Sequence, residues 1–368
     1  MKKDLSFQYQ GKSLKFPLFF PDATRAVVRT VDSLDIQKTQ TPGILVNTWH
    51  LYRDLGKKIV EDRGGIRQFM NWPGAIISDS GGFQVMSLAK SGAYRGKVND
   101  RGVVFRTSKK KKVLFTPERS IQFQMSLKTD LLVVLDDFTP PGADEKQAKE
   151  TVDRSVLWAK RCKQEFEKIL ASKKGRSFRG KNRPYLIAVV QGGDFLKLRK
   201  ECAQRLVKIG FDGLGYGGWP VTQEGKFNYA VARRIAKDAP RGYLLYGLGI
   251  GKPDEIVGCV DLGFHLFDCV LPTRDARHKR LYVFNAESID KISIRKPKFY
   301  SYYSPDKEKH FGDSRPVSQA CDCLLCTHYS RAYLHHLFKI KDMTALRLAT
   351  IHNLRFYSLL MEKLQAER

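Results

Sequence analysis

Short apolar, β-branched runs recur along the chain, separated by longer stretches in which apolar residues return every three or four positions. The runs predict strands at 44–46, 75–78, 131–135, 185–190, 213–216, 244–246 and 264–268. The longer stretches predict helices, two of them well marked. One covers 117–128, with Thr116 as N-cap and Pro117 at its first position. The other covers 144–171, with Val152, Val156, Ala159 and Phe166 near one face. Such alternation indicates repeated βα units around a parallel sheet, an α/β fold.

The residues after each strand add chemistry to the pattern. Asn47 follows the first run, Asp79 the second, Asp136 and Asp137 the third, Gln191 the fourth, Gly217 and Gly218 the fifth and Gly247 the sixth, while Asp268 closes the last. In a (β/α)8 (TIM) barrel the carboxyl ends of all strands converge on one face, where catalytic groups gather. A doubly wound sheet puts its ligand crevice at the same strand ends, and turns in either fold favour Asp, Asn and Gly. The spacing leaves both architectures open.

After Arg280 the rhythm changes. Segment 281–303 mixes Val, Ile, Phe and Tyr with Lys and Arg, predicting a small antiparallel element, and helices follow, the last within 343–367. Between them Cys321, Cys323 and Cys326 place three thiols within six residues, a soft ligand set suited to tetrahedral Zn2+. The candidates for a fourth ligand are His328, His335, His336 and His352, of which His352 can return to the cluster from a neighbouring helix. Four protein ligands close the site to water and make the zinc structural. The other cysteines, Cys162, Cys202, Cys259 and Cys269, are scattered singly and read as reduced core residues rather than a disulfide framework.

Charge points to the partner. The chain carries 65 Lys and Arg against 38 Asp and Glu, a formal net charge of +27. That excess draws a polyanion, with nucleic acid foremost. It is concentrated at 109–112 and 173–183, either of which can equally be a solvated loop. No apolar run approaches the ~18 residues needed to span a bilayer, and the N-terminus lacks the features of a signal peptide. A cytoplasmic protein without a membrane partner is expected.

Several segments belong together: Ser78-Asp79-Ser80-Gly81-Gly82-Phe83-Gln84-Val85, Val190-Gln191-Gly192-Gly193, Phe267-Asp268-Cys269-Val270-Leu271-Pro272-Thr273-Arg274, and Tyr329-Ser330-Arg331-Ala332-Tyr333-Leu334 after the Cys cluster. In order and spacing, from about Pro17 to the last helix, they resemble the tRNA-guanine transglycosylase family. The resemblance implies a (β/α)8 TIM barrel with a C-terminal zinc-binding subdomain. We therefore expect residues 1–280 to form the barrel, with β elements at its N-terminus, and 281–368 to form the zinc appendage and helices packed on it.

The implied reaction exchanges guanine at the anticodon wobble position of U-G-U-containing tRNAs for a 7-deazaguanine base, preQ1 or queuine, in queuosine modification. By motif, Asp268 is the nucleophile that holds a covalent RNA intermediate and Asp79 the general acid/base. Two carboxylates at an oxocarbenium-like centre follow the logic of retaining glycosidases. Asp136 would accept from guanine N1 and the exocyclic amine, and Gln191 and the Gly218 N–H would bind O6. Phe83 would stack on the base, Tyr246 and Gly247 would cover its other face, and Asn47 and Thr48 would orient the Asp79 loop or the ribose. Arg274, Arg277 and His278 would contact RNA, with Lys109, Lys279 and Arg280 extending the basic track. The resemblance also implies one Zn2+ per chain and a homodimer formed through the zinc appendage.

The chain departs from the family pattern after Gly217-Gly218, where it reads Trp219-Pro220-Val221-Thr222. This segment resembles the one that senses the 7-substituent of the incoming base. Pro220 has no N–H, so the peptide before it cannot present a donor, which weakens the case for preQ1 and raises queuine or another deazaguanine; Trp219 simply packed over the pocket would instead leave preQ1 the substrate. Phe138 is bulkier than the small residue expected there. Exchange on DNA and a non-catalytic RNA-binding subunit are the alternatives. Retention of both Asp79 and Asp268 argues against the second, and the intact anticodon-loop motif favours tRNA over DNA.

Overall fold

A computed structural model describes residues 5–82, 97–106, 112–178, 180–222 and 224–367. Eight short strands form one sheet: β1 Leu18–Pro21, β2 Gly43–Asn47, β3 Ala75–Asp79, β4 Leu131–Val133, β5 Tyr185–Val190, β6 Gly213–Tyr216, β7 Leu244–Gly247 and β8 Leu266–Cys269. Every neighbouring pair is parallel, in the order β1, β8, β7, β6, β5, β4, β3, β2. The ends of this sheet meet where Asp22, just beyond β1, bridges Leu45 of β2. There Ala23 N donates to Leu45 O at 2.6 Å and Asn47 N to Thr24 O at 3.2 Å. The sheet is thus a nearly closed eight-stranded barrel, which rules out the open, doubly wound alternative.

The hydrophobic pattern does not announce β1. Its four residues, Leu-Phe-Phe-Pro, are all buried and so show no alternation. The barrel interior is filled by Phe20, Leu45, Ile77, Val133, Ile187, Val189, Tyr246 and Leu266. A hairpin of Ser6–Tyr9 and Lys12–Lys15 belongs to the same core, with the Phe7 ring 6.0 Å from Phe20 and 5.2 Å from Tyr185 at the start of β5. The amino ends of the strands are therefore plugged, and the carboxyl ends are left for chemistry.

The surrounding helices include α1 Thr48–Asp54, α2 Pro117–Leu127, α3 Glu145–Ala171, α4 Leu196–Ile209 and α5 Leu271–Arg277. The expected caps form: Thr116 accepts from Arg119 N at 3.2 Å, and Asp144 accepts from Gln147 N at 2.7 Å. Between β3 and α2 lies an antiparallel sheet of Lys97–Asn99, Gly102–Arg106 and Lys112–Phe115, which the hydrophobic pattern did not predict. Beyond α5, β9 Leu281–Phe284 pairs antiparallel with β10 Tyr300–Tyr303, as the mixed pattern there predicted.

Three helices close the chain: α6 Leu324–His328, α7 Arg331–Lys339 and α8 Met343–Ala366. Helix α8 is buried along most of its length and shares core with the barrel. Leu348, Ile351 and Leu354 belong to the same buried cluster as Ile44 and Phe123, while Phe356, Tyr357 and Leu360 join the cluster of Phe19 and Phe267. Buried Asn353 accepts from Tyr282 N at 3.0 Å and donates to Pro272 O and Arg280 O, both at 3.0 Å. These bonds pin α5, the helix that follows Asp268, to α8. Among the described residues no helix is long and apolar enough to cross a membrane.

Candidate active site and metal centre

Alternate residues of a strand face opposite sides of the sheet. Asp79 therefore shares the inward face of β3 with Ala75 and Ile77, and Asp268 that of β8 with Leu266. Both carboxylates stand one layer above the apolar barrel core. They line a cavity of about 230 Å3 at the carboxyl ends of the strands, together with Asp136, Phe138, Gly217, Gly218, Trp219, Pro220, Leu248 and Gly249. No Lys or Arg lies among its described lining residues.

Each carboxylate is held by neutral donors. Asp79 accepts from Asn47 Nδ2 and from Gly81 N, both at 2.9 Å, while Thr48 Oγ1 donates to its backbone carbonyl. The Asn47–Asp79 pairing of β2 with β3 sets the first of these contacts. Asp268 accepts from Tyr246 Oη at 2.7 Å and Gly249 N at 3.1 Å. Asp136 accepts from Gln191 Nε2 at 2.6 Å. Its neighbour Asp137 turns away to a salt bridge with Arg154 of α3, so only one of the adjacent pair serves the cavity.

Three acids crowded into an apolar mouth are hard to ionise together. Burial pushes Asp79 up to about 7, aided by the charges of Asp268 and Asp22 and opposed by the Asn47 and Gly81 hydrogen bonds. Burial raises Asp268 to about 6, aided by Asp22 and opposed by Tyr246 and Gly249. Burial likewise raises Asp136 to about 6, with Asp137 adding to the rise and Gln191 countering it. Near neutral pH, Asp79 can thus hold or release a proton while Asp268 is largely ionised, a division of labour between acid/base and nucleophile.

Other site candidates fall in two groups. Gly218 lines the cavity, whereas Gln191 is fully buried and ties Asp136 to Thr139, whose N–H donates to Gln191 Oε1 at 3.1 Å. Tyr246 is also fully buried and meets Asp268 through its hydroxyl; Leu248 and Gly249, rather than Tyr246 and Gly247, form that wall. Arg274, Arg277 and His278 lie on or just after α5, with Arg274 and His278 exposed and Arg277 half-buried. Phe83 and Lys109 to Lys111 lie outside the described residues, and Lys112 opens the last strand of the small antiparallel sheet. Of the basic stretch 173–183, the described residues 173–178 and 180–183 lead into the amino end of β5, on the far side of the barrel from the cavity.

The metal centre forms where α6 meets α8. One donor atom from each of Cys321, Cys323, Cys326 and His352 lies within 4.8 Å of the others. His352 Nδ1 sits 3.7, 3.5 and 3.3 Å from the three sulfurs in turn, and Nε2 is 2.8 Å from Tyr282 O. A proton on Nε2 directed at that carbonyl leaves the Nδ1 lone pair facing the thiols. Three soft sulfurs and one imidazole fit one structural Zn2+. His335 instead places Nδ1 2.9 Å from Pro305 O, and His328 bonds Thr327, so neither joins the set.

The profile described as Queuine tRNA-ribosyltransferase matches residues 5–367, and the chain belongs to that family. The queuine tRNA-ribosyltransferase of Shewanella putrefaciens is 36% identical over 354 residues, covering 96% of this chain and 87% of the relative. That of Thermoanaerobacter pseudethanolicus is 36% identical over 353 residues, covering 96% and 86%.

Proposed function

We propose that the protein is a tRNA-guanine transglycosylase that exchanges guanine at the wobble position for a 7-deazaguanine base through a covalent RNA intermediate. The observation that carries this reading is the convergence of Asp79, Asp136 and Asp268, from three separate strand ends, on one cavity beside the Gly218 backbone. The Asp268 carboxylate attacks ribose C1′, forming a glycosyl ester as the bond to guanine breaks. Asp79 gives its proton to the leaving base. The incoming base then loses its ring proton to Asp79, attacks C1′ and releases Asp268, so the two steps balance without a redox partner. Zinc, when bound, supplies structural cross-linking near α5 and takes no step in the exchange.

Recognition follows from hydrogen-bond polarity. An ionised Asp136 accepts from the donor-rich N1 and N2 edge of guanine, while Gln191 positions that carboxylate and the Gly218 N–H meets O6. Arg274, Arg277 and His278 stand beside the mouth for the flanking RNA. Trp219 is 51% exposed and borders the cavity next to Pro220, a wall suited to a large 7-substituent and therefore to queuine ahead of preQ1. A homodimer through the metal-bearing region is supported by exposed Phe311 and Met343 and by the stacked, partly exposed rings of Tyr329 and Tyr333. We assign a cytoplasmic location, where tRNA is found.

The test is incorporation of labelled guanine into a transcript carrying U-G-U at the wobble position, followed by a chase with preQ1 or queuine. Release of label by queuine in preference to preQ1 is expected. No incorporation by folded, zinc-loaded protein would overturn the reading.

A further inference from the structure

Arg199 of α4 is 1% exposed, and all of its side-chain hydrogen bonds among the described residues go to backbone carbonyls. Nε donates to Gly193 O at 2.8 Å, and Nη1 donates to Val190 O and, at 2.8 Å, to Gly217 O. The guanidinium also lies over the Tyr216 ring, 5.4 Å from its centroid. A buried cation is costly unless compensated, and no carboxylate pairs with this one among the described residues.

Its partners give the arrangement a purpose. Val190 precedes Gln191, which holds Asp136, and Gly193 lies two residues beyond it; Gly217 and Gly218 form part of the cavity wall. The fit is tight, because a Cβ on Gly218 would lie 3.3 Å from Arg199 Nη2 and 3.4 Å from Gln191 Oε1, and one on Gly217 would lie 2.7 Å from Gln191 Nε2. In a planar trans peptide the C=O and N–H point in opposite directions. With Gly217 O drawn to Arg199, the Gly218 N–H is aimed away from Arg199, and both glycines line the cavity.

We propose that Arg199 is a positioning residue for base recognition. It locks the Gly217–Gly218 peptide with its N–H toward the ligand and places a buried positive charge behind that donor. The site then favours a purine whose 6-substituent is a strong acceptor and gains negative charge as the base departs. This deepens the base-exchange reading proposed above and rests on it.

The experiment compares guanine with 6-thioguanine, which keeps the N1 and N2 donors but carries a weak acceptor at position 6. Exchange of labelled guanine into the tRNA transcript is measured with the full, zinc-loaded chain, with 6-thioguanine as competitor. Arg199→Gln is expected to raise the KM for guanine about ten- to a hundredfold. The inhibition constant of 6-thioguanine and the KM for tRNA should change far less. Arg199→Lys keeps the charge but loses the planar fork, and should fall between wild type and Arg199→Gln in guanine preference. It also serves if Arg199→Gln does not fold.

Equal weakening of both purines, or an unchanged guanine preference in either folded variant, would overturn the proposal and leave Arg199 a packing residue. Failure of the wild-type protein to exchange guanine at all would instead remove the reading on which the proposal rests, and the proposal with it.

Discussion

The barrel mouth and the Cys3His knot are both polar clusters inside an apolar fold, and they solve the problem of burial in opposite ways. At the knot, His352 is oriented by Tyr282 O, and Asp322, within the Cys loop, pairs with Arg355 on α8. Its donors converge on one point, and a single cation satisfies them all. At the mouth, three carboxylates are held by neutral donors with no cation among the described lining residues, and burial lifts each toward neutrality. The knot is arranged to be finished by an ion and left alone. The mouth is arranged to remain unsatisfied until a substrate supplies donors and a reacting carbon.

Breaking each region should separate the two designs. Asp268→Ala is expected to lower exchange by at least about ten-thousandfold while leaving zinc content and folding intact, measured by guanine incorporation and metal analysis. Cys323→Ser should show the reverse order of events. Metal is lost first, then the docking of α6 against α8, seen as a large fall in thermal stability with activity lost only as a consequence. Retention of one zinc per chain by Cys323→Ser would remove it from the ligand set.

Finer changes sharpen the mouth's side of the comparison. Exchange needs Asp268 and Asp136 ionised and Asp79 protonated, so its rate should fall below about pH 6 and again above about pH 7. Removing the Tyr246 donor withdraws support from the Asp268 anion and raises its pKa further. Tyr246→Phe should therefore shift the acidic limb to higher pH and reduce exchange at pH 6.5 by about tenfold. An acidic limb that stays in place would deny Tyr246 this role. The smallest effect is expected at the β1–β2 seam, where the charge of Asp22 raises both catalytic acids. Asp22→Asn should move both limbs slightly toward lower pH, with little loss of peak rate.

Legibility in the sequence followed the range of the interactions. Three of the four metal ligands sit in one six-residue stretch, and Asp79, Asp136 and Asp268 each close or follow a recognisable strand. What was hidden depends on distant partners. β1 has no alternation because both of its faces are buried, so the run that completes the barrel looks like any short apolar segment. Tyr246 was expected to cover the base, yet its parity on β7 puts it inside the barrel, where only its hydroxyl reaches Asp268. Arg199 and Asp22 carry no motif, since their significance comes from carbonyls and carboxylates on other strands. Parity counting along β7 could have placed Tyr246; only the closed barrel discloses Arg199 and Asp22.

The chemistry proposed at the barrel mouth depends on Asp268 acting as the nucleophile and holding the RNA covalently. The most direct measurement is denaturing electrophoresis of the wild-type protein and Asp268→Ala after incubation with the tRNA transcript. The wild-type protein should give a denaturation-resistant protein–RNA band that disappears when guanine is added in excess, and the folded, zinc-loaded variant should give none. The same band from Asp268→Ala, or guanine exchange by that variant at the wild-type rate, would contradict the assignment.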